Sequence, residues 1–326
     1  MGVRIGRQYA LSWMKKAKKA EYRSSLQAFT YYDEAAKRDP EFAQPWYEKG
    51  KLARRYSNLE NDSDKEELLK GAPPGYSGSH DAYDLAEACF EKALEIEPNS
   101  IDALFEKGNF HSSYVGIGIK EDALTCLNKV LELDSKHVDA LEIKIKVLKD
   151  MQKFEESLEC IDQLIKIKKK KSDSISLAWT ILHKANILYE LGKFKDSLKW
   201  LDKAISTKKF LENEKYTLTR KGLILAKLER YYDALDCFNE SKNSSPHIRH
   251  PFEEIYAEVN FCRALCLQET FGDKKEIFQY YTSAINLSQS QLAEYAGTTY
   301  AWKVLKNGLT KFHEYCDRES PKWLKN

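Results

Sequence analysis

The segment KYTLTRKGLILAKLERYYDALDCFNESKNSSPHI, residues 215–248, decides how the chain is read. Its first half sets Leu218, Gly222 and Leu225 at steps of four and three, and its second half sets Ala234, Phe238 and Ser241 at the same steps before Pro246. Such steps place each set on one face of an α-helix. A small residue lets a second helix come close, and the large one four later fills the groove beside it. Pro246 then stops the helix. The segment therefore specifies two helices joined by a tight turn.

Working outward, the first-helix pattern recurs around Lys49, Lys107, Lys144, Lys184 and Lys221. Three residues before each stands Trp46, Leu104, Leu141, Ile181 or Leu218, and one after stands Gly50, Gly108, Ile145, Ala185 or Gly222. The second-helix pattern runs through Ala28, Ala86, Ala123, Ser157, Ser197 and Ala234, each followed four later by Tyr32, Phe90, Leu127, Ile161, Leu201 and Phe238. Ala35, Ala93, Val130, Leu164, Ala204 and Ser241 come three residues beyond, and Pro40 and Pro98 close two further units.

Trp46 to Gly50 in the form W-x2-K-G, Ala86 to Phe90 in the form A-x3-F, and Pro98 together resemble the tetratricopeptide repeat, whose unit is a helix pair of 34 residues. Ser157 and Ser197 depart from the usual Ala. The resemblance implies an all-α, right-handed superhelical solenoid of about seven helix pairs with a C-terminal capping helix. The expected repeats lie at about 9–42, 43–100, 101–137, 138–171, 178–211, 215–248 and 252–287, with an insertion at 57–80 and the cap at 290–316. A single domain over 1–326 is the expectation, since no linker divides the chain.

Composition agrees with helix: Gly 14 and Pro 8 are too few for a turn-rich β fold. Lys and Arg total 52 against 50 Asp and Glu, a net charge of +2 that disfavours a strongly cationic nucleic-acid binder. No apolar run is long enough for a membrane span. Seven widely spaced cysteines suit reduced thiols, so the expected location is cytoplasmic. The global balance hides an asymmetry. Residues 81–160 hold 18 Asp and Glu against 9 Lys and Arg, whereas 161–230 hold 17 Lys and Arg against 8 Asp and Glu. Such bipolar charge suits orienting a partner, or self-association head to tail.

Chemistry-bearing motifs are missing. No phosphate-binding loop, H-E-x-x-H or G-x-S-x-G occurs, so neither an enzyme nor a cofactor is expected. Cys89, Cys126, Cys160 and Cys237 share one repeat slot and read as helix-face residues. Cys262 and Cys266 share a face without a second ligand pair nearby, so no metal is expected. His247 and His250 fall in a connection after Pro246.

In the family this chain resembles, first helices line a groove that binds peptide segments. Carried over, the peptide-binding candidates are Tyr47, Lys51, Arg54, Phe105, Asn109, Lys146, Trp179, His183, Asn186, Tyr216 and Arg220, with Glu142, Glu190 and Lys227 beside them. Aromatics with hydrogen-bonding neighbours suit recognition of another protein; packing between repeats is the competing reading for Trp179 and Tyr216. The expected function is a protein-interaction scaffold or adaptor. The alternatives are an RNA-associated helical repeat protein or an accessory subunit of an enzyme complex. Nucleic acid is disfavoured because the slots that would read bases vary from Asp102 to Asp139 to Trp179 to Tyr216.

Overall fold

The computed structural model describes residues 2–21, 25–55, 82–113, 116–170, 174–207, 215–243, 253–294, 306 and 309–315. Its helices are α1 (Gly2–Ala20), α2 (Ser25–Arg38), α3 (Ala43–Arg55), α4 (Ala82–Ile96), α5 (Ile101–His111), α6 (Ile117–Leu133) and α7 (Val138–Asp150). They continue with α8 (Phe154–Lys170), α9 (Ser174–Glu190), α10 (Phe194–Thr207), α11 (Lys215–Lys227), α12 (Tyr231–Asn243), α13 (Glu253–Glu269) and α14 (Lys274–Glu294). Residues 309–315 are helical too, and no strand occurs among the described residues. The expected insertion at 57–80, His247 and His250 lie outside them.

The chain forms two compact units, Met1–Ile167 and Lys168–Asn326. Within the first, α1 packs on α2, α3 on α4 and α5 on α6, while α7 and α8 share the core of Leu141, Leu148, Cys160 and Leu164. Within the second, α9 packs on α10, α11 on α12 and α13 on α14. First helices of neighbouring pairs also touch, α3 with α5, α5 with α7 and α11 with α13. This is the all-α helix-pair repeat that the sequence specifies.

The small-then-large code closes each pair. Ala28, Ala86, Ala123, Ser157, Ser197 and Ala234 are wholly buried, and so are Tyr32, Phe90, Leu127, Ile161, Leu201 and Phe238. Opposite them sits the residue after the aligned lysine. A Cβ on Gly222 would stand 2.6 Å from the Phe238 ring, and one on Gly50 would stand 2.7 Å from Phe90. Glycine is required there because the aromatic ring fills its side-chain space. The serine departures have a local reason as well. Ser197 Oγ donates to the Ala185 carbonyl at 2.6 Å and Ser157 Oγ to the Ile145 carbonyl at 3.4 Å, so each buried hydroxyl is satisfied.

Four pairs turn in the same way. Gln152, Gly192, Glu229 and Phe271 each hold a left-handed backbone, with φ of 59°, 71°, 61° and 56°. The next amide then reaches back to the helix: Lys153 to Leu148, Lys193 to Leu188, Arg230 to Leu225 and Gly272 to Leu267. This is the helix-ending bond pattern that glycine serves best.

Helix α1 starts at Gly2, and α14 runs to Glu294 because neither Pro nor Gly interrupts 274–294. Residues 290–294 thus belong to the last helix of the seventh pair. Segment 309–315 lies against that helix. Phe312 stacks 5.2 Å from Phe278 and 5.9 Å from Tyr281, and the buried Tyr315 donates its hydroxyl to the Lys274 carbonyl.

Candidate functional site

The aligned lysines themselves are not on an open face. Lys49 is fully buried, 2.9 Å from Asp33 of α2 and over the rings of Phe29 and Trp46. Lys107 reaches Glu87 of α4 at 2.7 Å, and Lys221 reaches Asp202 of α10 at 3.6 Å. Each of these three therefore ties its first helix to the second helix of the pair before. His111 adds to the second tie: its Nε2 lies 2.7 Å from Glu87. Burial pushes the Glu87 carboxyl up, but hydrogen bonds from His111 and Lys107 outweigh it and hold the group below its ordinary value.

The candidate residues occupy the remaining faces of the first helices. In the first unit they join α3 to α5. Tyr47 donates to Asp102 at 3.3 Å, Lys51 pairs with Glu106 at 3.3 Å, and Arg54 donates to Ser113 at 2.8 Å. Tyr47 is buried, and burial together with the Asp102 charge raises its phenol. Lys51 loses solvation, which favours the neutral amine, yet Glu48 and Glu106 more than offset this and raise it. Phe105 is half-buried with its ring 5.0 Å from His137 at the start of α7. Asn109 is partly exposed, its carbonyl accepting from Ser112 and Ser113. Glu142 and Lys146 stand exposed on α7.

In the second unit a denser network crosses three first helices. Asn186 of α9 donates to the Tyr216 hydroxyl of α11 at 2.6 Å. Arg220, buried, lies 3.7 Å from Glu190 and 5.0 Å above the Tyr189 ring. Tyr189 donates to Glu258 of α13 at 2.6 Å, and Lys227 approaches the same carboxylate at 3.5 Å. Trp179, Asn186 and Tyr216 remain partly exposed at its border, and His183 is exposed. The structure thus brings Asn186, Tyr216 and Arg220 into one network. Tyr47, Lys51 and Arg54 lie along a separate seam in the first unit, and Lys146 joins neither.

Sequence reasoning missed Glu106, Tyr189 and Glu258, which accept or complete these bonds, and placed Asp102 in a first-helix slot without its partner Tyr47. Glu258 carried a usable signal, a carboxylate abutting the largely apolar run Val259 to Cys266. Its partners come from helices far apart in sequence, which periodicity does not report.

Other chemistry is sparse. Among the described residues no group of three or more His, Cys, Asp and Glu is arranged to hold a metal ion. Burial pushes the Cys89 and Cys266 thiols up to about 12, so neither is a nucleophile at neutral pH. No helix among the described residues is long and apolar enough to cross a membrane.

The sequence model of the tetratricopeptide-repeat family matches residues 81–100. No curated protein matches the chain. Among solved structures, a tetratricopeptide repeat protein from Parabacteroides merdae ATCC 43184 is similar at 14% identity and TM-score 0.52, covering 93% of this chain and 99% of that one. Pseudomonas aeruginosa pilF aligns at 13% identity and TM-score 0.47 over 81% of this chain and 99% of its own. YrrB, described as a tetratricopeptide-repeat protein with an unusual peptide-binding site, aligns at 18% identity and TM-score 0.43 over 67% and 97%.

Proposed function

We propose, from the premise that this chain is a tetratricopeptide-repeat protein, that it is a non-catalytic scaffold holding a peptide segment of another protein against its first-helix faces. One observation carries the reading: partly exposed Trp179, Asn186 and Tyr216 border a frame of cross-tied side chains in the second unit. Because Asn186 is held by Tyr216, Arg220 by Glu190 and the Tyr189 and Tyr216 rings, and Tyr189 by Glu258, the face needs little ordering when a ligand arrives. Aromatic rings set in such a frame suit apolar or aromatic peptide side chains, with polar neighbours left for the peptide backbone.

The first-unit seam at Tyr47, Lys51 and Arg54 has a smaller part, since its polar groups are spent on Asp102, Glu106 and Ser113. Phe105, Asn109 and Lys146 extend the face along α5 and α7. Six free cysteines among the described residues, five of them buried, fit a reducing compartment such as the cytoplasm.

Panning a random phage-displayed 12-mer library on the whole protein tests the proposal. Enriched sequences should be rich in aromatic and large apolar residues. A synthetic peptide from that pool should lose at least about tenfold in affinity on Trp179→Ala, the scale of one interface anchor. Enrichment indifferent to Trp179→Ala and to Tyr216→Ala would refute this site.

A further inference from the structure

Helices α8 and α10 are built on one template. Phe154, Ser157, Leu158, Ile161 and Ile165 of α8 correspond to Phe194, Ser197, Leu198, Leu201 and Ile205 of α10, forty residues later. Ser157, Ile161, Ser197 and Leu201 are wholly buried, so the two helices seat the same face in their pairs. Between these anchors Glu156 and Asp162 keep their sign as Asp196 and Asp202, while one outward row changes charge. Glu155, Glu159 and Gln163 stand where Lys195, Lys199 and Lys203 stand in α10, and all six are exposed. Each row steps by four residues, about 6 Å along the helix, so the rows have equal pitch, and two of their three positions reverse sign.

An exposed charged helix face is ordinarily just solvated, and a single row would carry no more than that. Two features separate these rows from the ordinary case. Glu155, Glu159, Lys195 and Lys199 make no ion pair among the described residues, although many other surface charges of this chain do. The rows are also mutual complements on matching scaffolds. Laid antiparallel, Glu155 meets Lys203, Glu159 meets Lys199 and Gln163 meets Lys195. Gln163 already donates its amide to the Ser135 carbonyl at 2.7 Å, which leaves its oxygen to accept from a lysine. Glu156 lies beside the acidic row and Asp196 beside the basic one, and Trp200 stands in α10 where Cys160 stands in α8.

We infer that the α8 face of one copy docks on the α10 face of a second copy, giving a head-to-tail, salt-sensitive self-association of this protein. The contact joins two different patches, so each docked copy leaves one of each open and further copies add in sequence unless both contacts form between the same two copies. Exposed charge pairs are individually weak and screened by salt, so the assembly is one of high protein concentration and low ionic strength. It uses second-helix faces, and its failure would leave the peptide-binding reading on the first helices untouched.

Sedimentation equilibrium of the full chain and two charge-reversed variants tests the inference. The wild type should gain weight-average mass with concentration at about 20 mM NaCl and return to the monomer at about 500 mM. Lys195→Glu/Lys199→Glu and Glu155→Lys/Glu159→Lys should each stay monomeric, with unchanged helical circular dichroism. Mixed one to one, they should associate again, because each restores the sign the other lacks. A wild type that stays monomeric at low salt overturns the inference. So does association that survives either reversal, or a mixture that fails to recover it.

Discussion

Gly222→Ala probes the packing code most directly. A new Cβ would lie 2.6 Å from Cε1 and 2.7 Å from Cδ1 of Phe238, so the ring must retreat by roughly 0.8 Å to reach ordinary contact. Phe238 is fully buried, which leaves it little room to yield. Overpacking of this kind costs about 1–3 kcal/mol. Replacing a mid-helix glycine by alanine returns about 1 kcal/mol through helix propensity. The expected net is a loss of about 0–2 kcal/mol, where propensity alone would give a gain. Gly118 in α6 is the control, since its Cβ would meet nothing within 4 Å. Gly118→Ala should be neutral or stabilising by up to about 1 kcal/mol. The repair is written in the chain itself, where Ala185 is matched in register with Leu201. Phe238→Leu should therefore cost less in the Gly222→Ala background than alone, with a coupling of at least about 1 kcal/mol. Hydrogen exchange of α11 and α12 amides, read by mass spectrometry, reports the local opening free energy of this pair. The reasoning is refuted if Gly222→Ala slows exchange in its own pair as Gly118→Ala does for the α6 amides, or if Gly222→Ala and Phe238→Leu simply add.

Further outcomes follow from the same contacts. Glu229→Gly and Gln152→Gly should each stabilise by about 1 kcal/mol in thermal denaturation, and Gly192→Ala should destabilise by a similar amount, because all three positions hold a left-handed backbone. Glu87→Gln should cost about 1–3 kcal/mol at pH 7, because the neutral amide loses the charge and keeps only one of the two oxygens that Lys107 and His111 share. The Glu87 carboxyl is held below its ordinary 4.5, so its contribution is full above that value and vanishes as pH falls through the depressed one. Wild type and Glu87→Gln should therefore converge in stability once the pH falls below the depressed value, and a difference that persists under full protonation would contradict the assignment. Fluorescence titration with an acidic chaperone-tail peptide and its C-terminal amide should show no amidation-sensitive binding. Arg220 is buried with Glu190 and Tyr189, and Arg54 donates to Ser113, so both candidate guanidinium groups are already engaged. Micromolar affinity lost on amidation would mean the groove lies elsewhere.

The candidate site was legible only in outline. The register placed Tyr47, Lys51, Asn186, Tyr216 and Arg220 on first-helix faces, and the structure finds them bonding to residues of neighbouring first helices. Which of them remain open to a ligand was not legible. That depends on whether a neighbouring helix carries an Asp102, Glu106 or Glu190 in reach, and these positions follow no repeat rule.

The sequence alone determined the helix pairs, because a 3.6-residue period and a small residue four before a large one are local facts. Ala86 with Phe90, or Ala234 with Phe238, needs nothing distant to declare its buried face. Tertiary structure decided what the aligned lysines do. Lys49 serves in the sequence only to mark the register, yet it is fully buried against Asp33 and two aromatic rings. It also decided that Tyr189, Glu258 and Lys227 form one knot across α9, α11 and α13. The physical reason is the same in both cases. Periodicity fixes which side of a helix is covered, but the charge that meets a given side chain comes from another helix, and only stacking brings the two within hydrogen-bond reach.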